Sequence, residues 1–157
     1  GLFKIGKAEQ TNQMSIEAIA NASEQLAESK TGALLVLERK DPLGSFAGTG
    51  HQLEANLSRI LLESIFFKNA PLHDGATIVS GNNVVAAGAI LPLSESSELP
   101  SQFGLRHRAA AGIAERTDAL AISISEETGS IHLFYNGTFE RVPSKAIEER
   151  LTALMNQ

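Results

Sequence analysis

Along residues 12–30 the small and apolar positions recur at helical spacing, with Ile16, Ile19, Ala20, Ser23, Leu26 and Ala27 along one stripe. Gly32 is placed to end that helix. Ala33–Leu37 is an unbroken apolar run, the pattern of a strand buried on both faces. Residues 39–50 contain Pro42, Gly44, Gly48 and Gly50 and read as a loop with at most a short extended piece. Leu57, Ile60, Leu61 and Ser64 mark a second amphipathic helix that ends before Pro71. Residues 76–80 and 84–91 flank Gly81-Asn82-Asn83 and predict a β-hairpin. A polar loop, 92–104, leads to a short alanine-rich helix over 109–115. Three strands follow at 119–125, 130–135 and 138–142, with turns at Thr128-Gly129 and Asn136-Gly137. Ser144 is placed to N-cap a last helix that turns Ile147, Leu151 and Leu154 inward. Residues 1–10 carry no period and read as a tail or linker. The sum is one α/β domain over 11–157, a mixed central β-sheet flanked by helices.

Composition narrows the chemistry. At 157 residues the chain suits one domain. It has no cysteine, which excludes disulfides, thiolate metal sites and cysteine nucleophiles. The net charge of -5 gives no general attraction to nucleic acid or to anionic membrane, so an anionic ligand must be held by local positive groups. No apolar run reaches the ~18 residues of a spanning helix. The chain opens on Gly1 rather than methionine, which reads as a cut or processed end with any membrane anchor lying upstream.

Three clusters carry candidate chemistry. Leu72-His73-Asp74-Gly75-Ala76 puts a carboxylate where a strand begins, beside a glycine that allows close approach; such an Asp binds a metal or activates a hydroxyl. The same residues also suit a plain Asp-Gly turn. Arg106-His107-Arg108, just before the alanine-rich helix, combines bidentate donors with a helix N-terminus and so makes an anion site; the alternative is a solvated basic face. Ser125-Glu126-Glu127-Thr128-Gly129 ends a strand with two carboxylates that hold a divalent ion or form an exposed turn. His51 and His132 read as surface or packing residues. The Walker phosphate loop, the G-x-S-x-G elbow, the H-E-x-x-H helix and the G-x-G-x-x-G fingerprint are all absent from the sequence.

Together these stretches resemble the diadenylate cyclase (DAC) domain family of bacteria. The resemblance rests on Pro71-Leu72-His73-Asp74-Gly75-Ala76, on Leu91-Pro92-Leu93-Ser94-Glu95-Ser96, on 104–110 around Arg106-His107-Arg108, and on 125–129, in matching order and spacing. It runs from about Ala33 to the last strands. The first helix and Thr31-Gly32-Ala33-Leu34-Leu35 are similar to the membrane-anchored subtype, in which a cytoplasmic cyclase domain follows transmembrane helices. The resemblance implies condensation of two ATP into cyclic di-AMP with a divalent metal, Mn²⁺ or Mg²⁺ with Co²⁺ as a further option, in a homodimer. It implies that Asp74 activates the ribose 3′-hydroxyl, that Gly75 permits close approach, and that Arg106, His107 and Arg108 face the triphosphate. Ser125, Glu126 and Glu127 then border phosphates and metal, His73 neighbours the metal, and Leu91 packs near adenine. The chain departs from the family at Leu105, where members usually carry a Thr whose hydroxyl contacts phosphate. A reciprocal attack by two nucleotides, with one site per protomer, needs two protomers face to face. Two rivals stand beside this reading: a non-catalytic nucleotide-binding sensor module, and a metal-dependent phosphohydrolase using His73, Asp74 and the Glu pair.

Overall fold

A computed structural model describes residues 13–157. The expected tail over 1–10 and the helix start at residue 12 lie outside the described residues. Helix α1 spans Ile16–Glu28 and is N-capped by Ser15, whose hydroxyl accepts from the Ala18 amide at 3.2 Å. It ends at Ser29, three residues before Gly32, and the left-handed residue after it is Lys30 at φ 51°. Gly32 therefore does not cap this helix.

Strand β1 is Ala33–Leu37, followed by a four-residue helix α2, Gly44–Ala47, and by strand β2, His51–Asn56. Helix α3 is Arg59–Phe66, capped by Ser58, and the hairpin is β3, Ala76–Ser80, with β4, Asn83–Ala89. Helix α4 runs Leu105–Arg116; strands β5, β6 and β7 are Leu120–Ile124, Ile131–Tyr135 and Thr138–Val142. A 3₁₀ turn, Ser144–Ala146, leads into α5, Ile147–Met155. Ser144 opens that turn instead of capping α5, whose N-cap is Ala146 without a side-chain bond. Arg150 of α5 donates to Tyr135 Oη at 3.0 Å and to Glu140, tying the last helix to β6 and β7.

The seven strands form one mixed sheet in the order β2-β4-β3-β1-β5-β6-β7. Only β1 and β3 run parallel; the other neighbours are antiparallel. Strand β1, at the centre, sends Leu35 and Leu37 to one face and Leu34 and Val36 to the other. On the first face α1, α3 and α5 bury Ile19, Leu26, Leu62, Phe66, Leu151 and Leu154. On the second face lie α2, α4 and the 91–104 loop, with Leu43, Phe103 and Ile113 in the core. This is a single α/β domain with helices on both faces of the sheet. The unbroken burial of β1 and β5 accounts for their continuous apolar sequence.

Antiparallel pairing has a consequence for the site. Ala33, the start of β1, sits opposite Ile124, the end of β5, and Ala76, the start of β3, sits opposite Ala89, the end of β4. Two strand beginnings and two strand ends thus meet at one rim of the sheet.

Candidate active site

At that rim lies a cleft of about 600 Å³, within the usual size range of small-molecule sites. Its walls include Leu34 of β1, Asp74 and Gly75 before β3, Leu91 after β4, the first turn of α4, and Ser125, Glu126 and Glu127 after β5. The three sequence clusters therefore converge on one concave surface.

Asp74 stands at the cleft wall with its side chain 86% exposed, so the carboxylate is directed to solvent rather than to the core. Its neighbour His73 is held by Nδ1, 2.7 Å from the carbonyl oxygen of Ala70. A carbonyl only accepts, so Nδ1 carries the hydrogen and Nε2 is left pointing at Asp74 Oδ1, 3.2 Å away. In the neutral ring that places two lone-pair groups face to face, an arrangement that suits a cation between or beside them. His73 itself is not on the cleft wall. Gly75 has φ +87°, and a Cβ there would fall 2.8 Å from the Ala89 carbonyl oxygen and the Gly88 carbonyl carbon. The glycine is thus required by the packing of β3 against β4, in addition to any approach of a ligand.

The basic triplet is not ahead of the helix but forms its first turn. Helix α4 starts at Leu105 with Gly104 as N-cap, no side-chain cap bond and no acidic residue in its first turn. The chain could not show this from alanine content, because the helix extends beyond the alanine run to include Arg106, His107 and Arg108. Their side chains diverge. Arg106 lines the cleft and lies 3.8 Å from Glu126 Oε1. Arg108 is outside the cleft wall and turns its Nη1 toward the Ser94 carbonyl at 3.5 Å. The same loop is strapped to α4 by the Ser94 amide on the Arg108 carbonyl at 2.9 Å and by the Ser94 hydroxyl on Glu115 at 3.0 Å.

His107 reaches the cleft only as part of an aromatic cluster. Its ring stacks on Phe103 at 4.3 Å and 11°, and meets His132 edge-on at 5.2 Å. Burial, then the neighbouring His132 and Arg106, hold its pKa down to about 4. Burial and Arg141 also lower that of His132, whose packing role agrees with its sequence reading. His107 is therefore a neutral ring at physiological pH, and the positive charge facing the cleft comes from Arg106 and the helix N-terminus. The depressed pKa fixes a sign. Between about pH 6.5 and pH 4 the unfolded chain binds a proton at His107 that the fold excludes, so stability falls as pH drops through that window and levels off below it. Discounted for solvent screening at a ring that is only partly buried, the loss is on the order of 2–3 kcal/mol at His107. Thermal melting from pH 7 to pH 4 should show it, and His107→Phe should flatten that part of the curve; an unchanged slope would mean the ring titrates freely.

Ser125 uses its hydroxyl to accept from the amides of Glu127 at 3.1 Å and Thr128 at 3.2 Å. That turn sets Glu126 and Glu127 on the cleft rim. Leu91 is 7% exposed and contributes an apolar wall, while Ile90, Leu93 and Leu105 are exposed apolar side chains on the same surface. Leu105 is 71% exposed, so its place in the first turn of α4 is a surface position facing the cleft. The sequence reading missed Phe103 and Gln102, which the loop brings to the site; no motif marks them. Among the described residues no group of three or more His, Cys, Asp or Glu gathers to hold a metal, so His73 and Asp74 are at most a partial ligand set.

A mixed-sheet α/β domain with a carboxylate, a guanidinium and a helix N-terminus on one rim cleft defines a ligand-binding domain suited to phosphate-bearing molecules. The chain belongs to the DAC family, described as DisA bacterial checkpoint controller nucleotide-binding, which matches residues 20–139. It is 45% identical over 146 residues to cyclic di-AMP synthase CdaA of Bacillus subtilis, covering 92% of this chain and 54% of that protein. It is 47% identical over 119 residues to diadenylate cyclase CdaS of Bacillus thuringiensis, covering 76% and 59%. The chain spans about half the length of the curated relatives it matches. Among solved structures, a double mutant of DacA from Staphylococcus aureus superposes with a TM-score of 0.87 at 38% identity, covering 90% of this chain and 95% of that one. A hypothetical membrane spanning protein from Bacillus cereus superposes at 0.81 with 44% identity, covering 83% and 64%. Among the described residues no helix is long and apolar enough to cross a membrane.

Proposed function

We propose that this chain is the catalytic domain of a diadenylate cyclase, joining two ATP molecules into cyclic di-AMP with release of two pyrophosphates. The observation that carries the reading is the convergence of Asp74 and Arg106 on one cleft in a chain of this family. Relatives that are 44–47% identical to it over 119–146 aligned residues are named for that activity.

In the proposed reaction each ribose 3′-oxygen attacks the α-phosphorus of the other nucleotide. Asp74 takes the hydroxyl proton, the new P–O bond forms, the bond from the α-phosphorus to the bridging oxygen breaks, and pyrophosphate leaves with the electron pair. Arg106 and the free amides of the first turn of α4 face the phosphates and stabilise the charge that builds on them. Leu91 supplies an apolar wall for adenine. Glu126 and Glu127 border the phosphates, and Glu126, 3.8 Å from Arg106, competes for it until a nucleotide binds. His73 and Asp74 fit a divalent cation, Mn²⁺ or Mg²⁺ with Co²⁺ as a further option, and phosphate oxygens would complete the ligand set. Such a cation neutralises phosphate charge when bound.

One protomer provides one Asp74 and one Arg106, whereas the product has two phosphodiester bonds. The active species is therefore a face-to-face dimer with the two clefts opposed. The exposed apolar Ile90, Leu93 and Leu105 on the cleft rim suit such a contact. A cytoplasmic position beside a membrane, supplied by a segment outside this chain, follows from the same family reading and would raise the local concentration of protomers.

The test is incubation with ATP and Mn²⁺, product identification by mass, and initial rate against protein concentration with sedimentation in parallel. Cyclic di-AMP is expected, with specific activity rising with concentration to a plateau. ATP bound without turnover would instead identify a sensor module, and AMP or ADP a phosphohydrolase. A strictly linear rate from a species shown to be monomeric would defeat the two-protomer mechanism.

A further inference from the structure

Gly32 lies buried between α1 and β1, and its backbone is not in the left-handed region, so any L-residue could adopt its conformation. Nor does it end α1, which stops at Glu28. The space beside it is nevertheless taken. A Cβ on Gly32 would lie 2.5 Å from Arg106 Cζ, 2.5 Å from Nη1 and 2.8 Å from Nη2. All three nearest atoms belong to one guanidinium, which rests against the glycine backbone with Glu126 at 3.8 Å on its flank.

We propose that Gly32 is a positioning residue for Arg106: its missing side chain leaves the seat on which the guanidinium rests and from which it faces the cleft. The inference rests on the reading of Arg106 as a phosphate donor. A methyl group at this position would not disturb the core, because what it displaces is the tip of a flexible side chain that is still 27% exposed. It would instead lift the guanidinium off its seat. An aimed, charge-assisted donor loses its advantage when its geometry is lost, even though the charge remains nearby.

A double-mutant cycle separates this role from a structural one. The four proteins are wild type, Gly32→Ala, Arg106→Ala and Gly32→Ala with Arg106→Ala, compared by thermal melting and by calorimetric affinity for α,β-methylene ATP with Mn²⁺. This analogue cannot release pyrophosphate. Gly32→Ala is expected to weaken binding by about tenfold in the wild-type background and to have no further effect once Arg106 is gone. If Gly32→Ala alone melts early while the double variant is as stable as Arg106→Ala, the clash with Arg106 is shown directly. The proposal is overturned if Gly32→Ala leaves affinity unchanged, if it weakens binding by the same factor in both backgrounds, or if the double variant fails to fold. An Arg106→Ala protein with wild-type affinity overturns both the proposal and the reading of Arg106, and that outcome differs from a silent Gly32→Ala beside an impaired Arg106→Ala.

Discussion

Asp74→Asn should lower cyclic di-AMP formation by at least ~10²-fold while leaving the fold intact and ATP affinity within a few-fold. The substitution keeps size and shape, so nothing in packing changes. The side chain is 86% exposed and its recorded polar partner is His73 at 3.2 Å, so melting should shift by no more than about 0.5 kcal/mol of stability. What is lost is chemical. An amide cannot accept the 3′-hydroxyl proton at neutral pH, and it would be a poorer ligand for the divalent cation proposed to sit at His73 and Asp74. Binding and turnover should therefore separate. Single-turnover rates at saturating ATP and Mn²⁺, beside calorimetric affinities, measure the two independently. Substantial turnover in the folded variant would remove Asp74 from the reaction.

The parts of this molecule that the sequence disclosed are those where local pattern and burial coincide. Ala33–Leu37 is apolar throughout because the sheet covers both its faces. Ile147, Leu151 and Leu154 repeat at helical spacing because α5 lies on one face of the sheet. Strand β2 shows the opposite case. His51–Asn56 lies at the edge of the sheet with only Leu53 and Ala55 half-covered, and a register shift between Gln52 and Ala55 interrupts its pairing with β4. An exposed, bulged edge strand leaves almost no apolar signal. Helix α2 is four residues long and contains Gly44, too short to show a period.

The site divides in the same way. Asp74, Gly75, Arg106 and 125–127 sit in clusters that the sequence marks and Leu91 in a stretch marked by the family resemblance, and the fold places all of them on one cleft. The aim of each side chain was not legible. His107 reads as one of three residues facing the triphosphate, but Phe103, four residues earlier, and His132, distant in sequence, pack on its ring, and burial holds it neutral. Gly32 reads as a helix stop, but its glycine is explained by a guanidinium from the other side of the sheet rim. The contacts of His107 with His132 and of Gly32 with Arg106 are tertiary, and no local period encodes them.

Arg106→Ala carries the second large expectation, and it has opposite signs with and without substrate. In the free protein the guanidinium sits in the first turn of α4, where the helix dipole and Arg108 repel positive charge. Its compensation is Glu126 at 3.8 Å, with that carboxylate 68% exposed, which is worth little. Removal should therefore be neutral or slightly stabilising to the apo fold. With nucleotide bound, on the proposed reading of Arg106 as a phosphate donor, the same removal should cost on the order of 2–4 kcal/mol in the transition state. That corresponds to roughly 30- to 1,000-fold in kcat/KM, since each ~1.4 kcal/mol is tenfold. Arg108→Ala should cost less, because Arg108 is outside the cleft wall and directed at the Ser94 carbonyl. Melting curves with and without ATP, beside kcat/KM for both variants, give the comparison. Equal losses would mean that the first turn as a whole, rather than the Arg106 guanidinium, receives the phosphates. Normal turnover by Arg106→Ala would reduce the cluster to a solvated basic face.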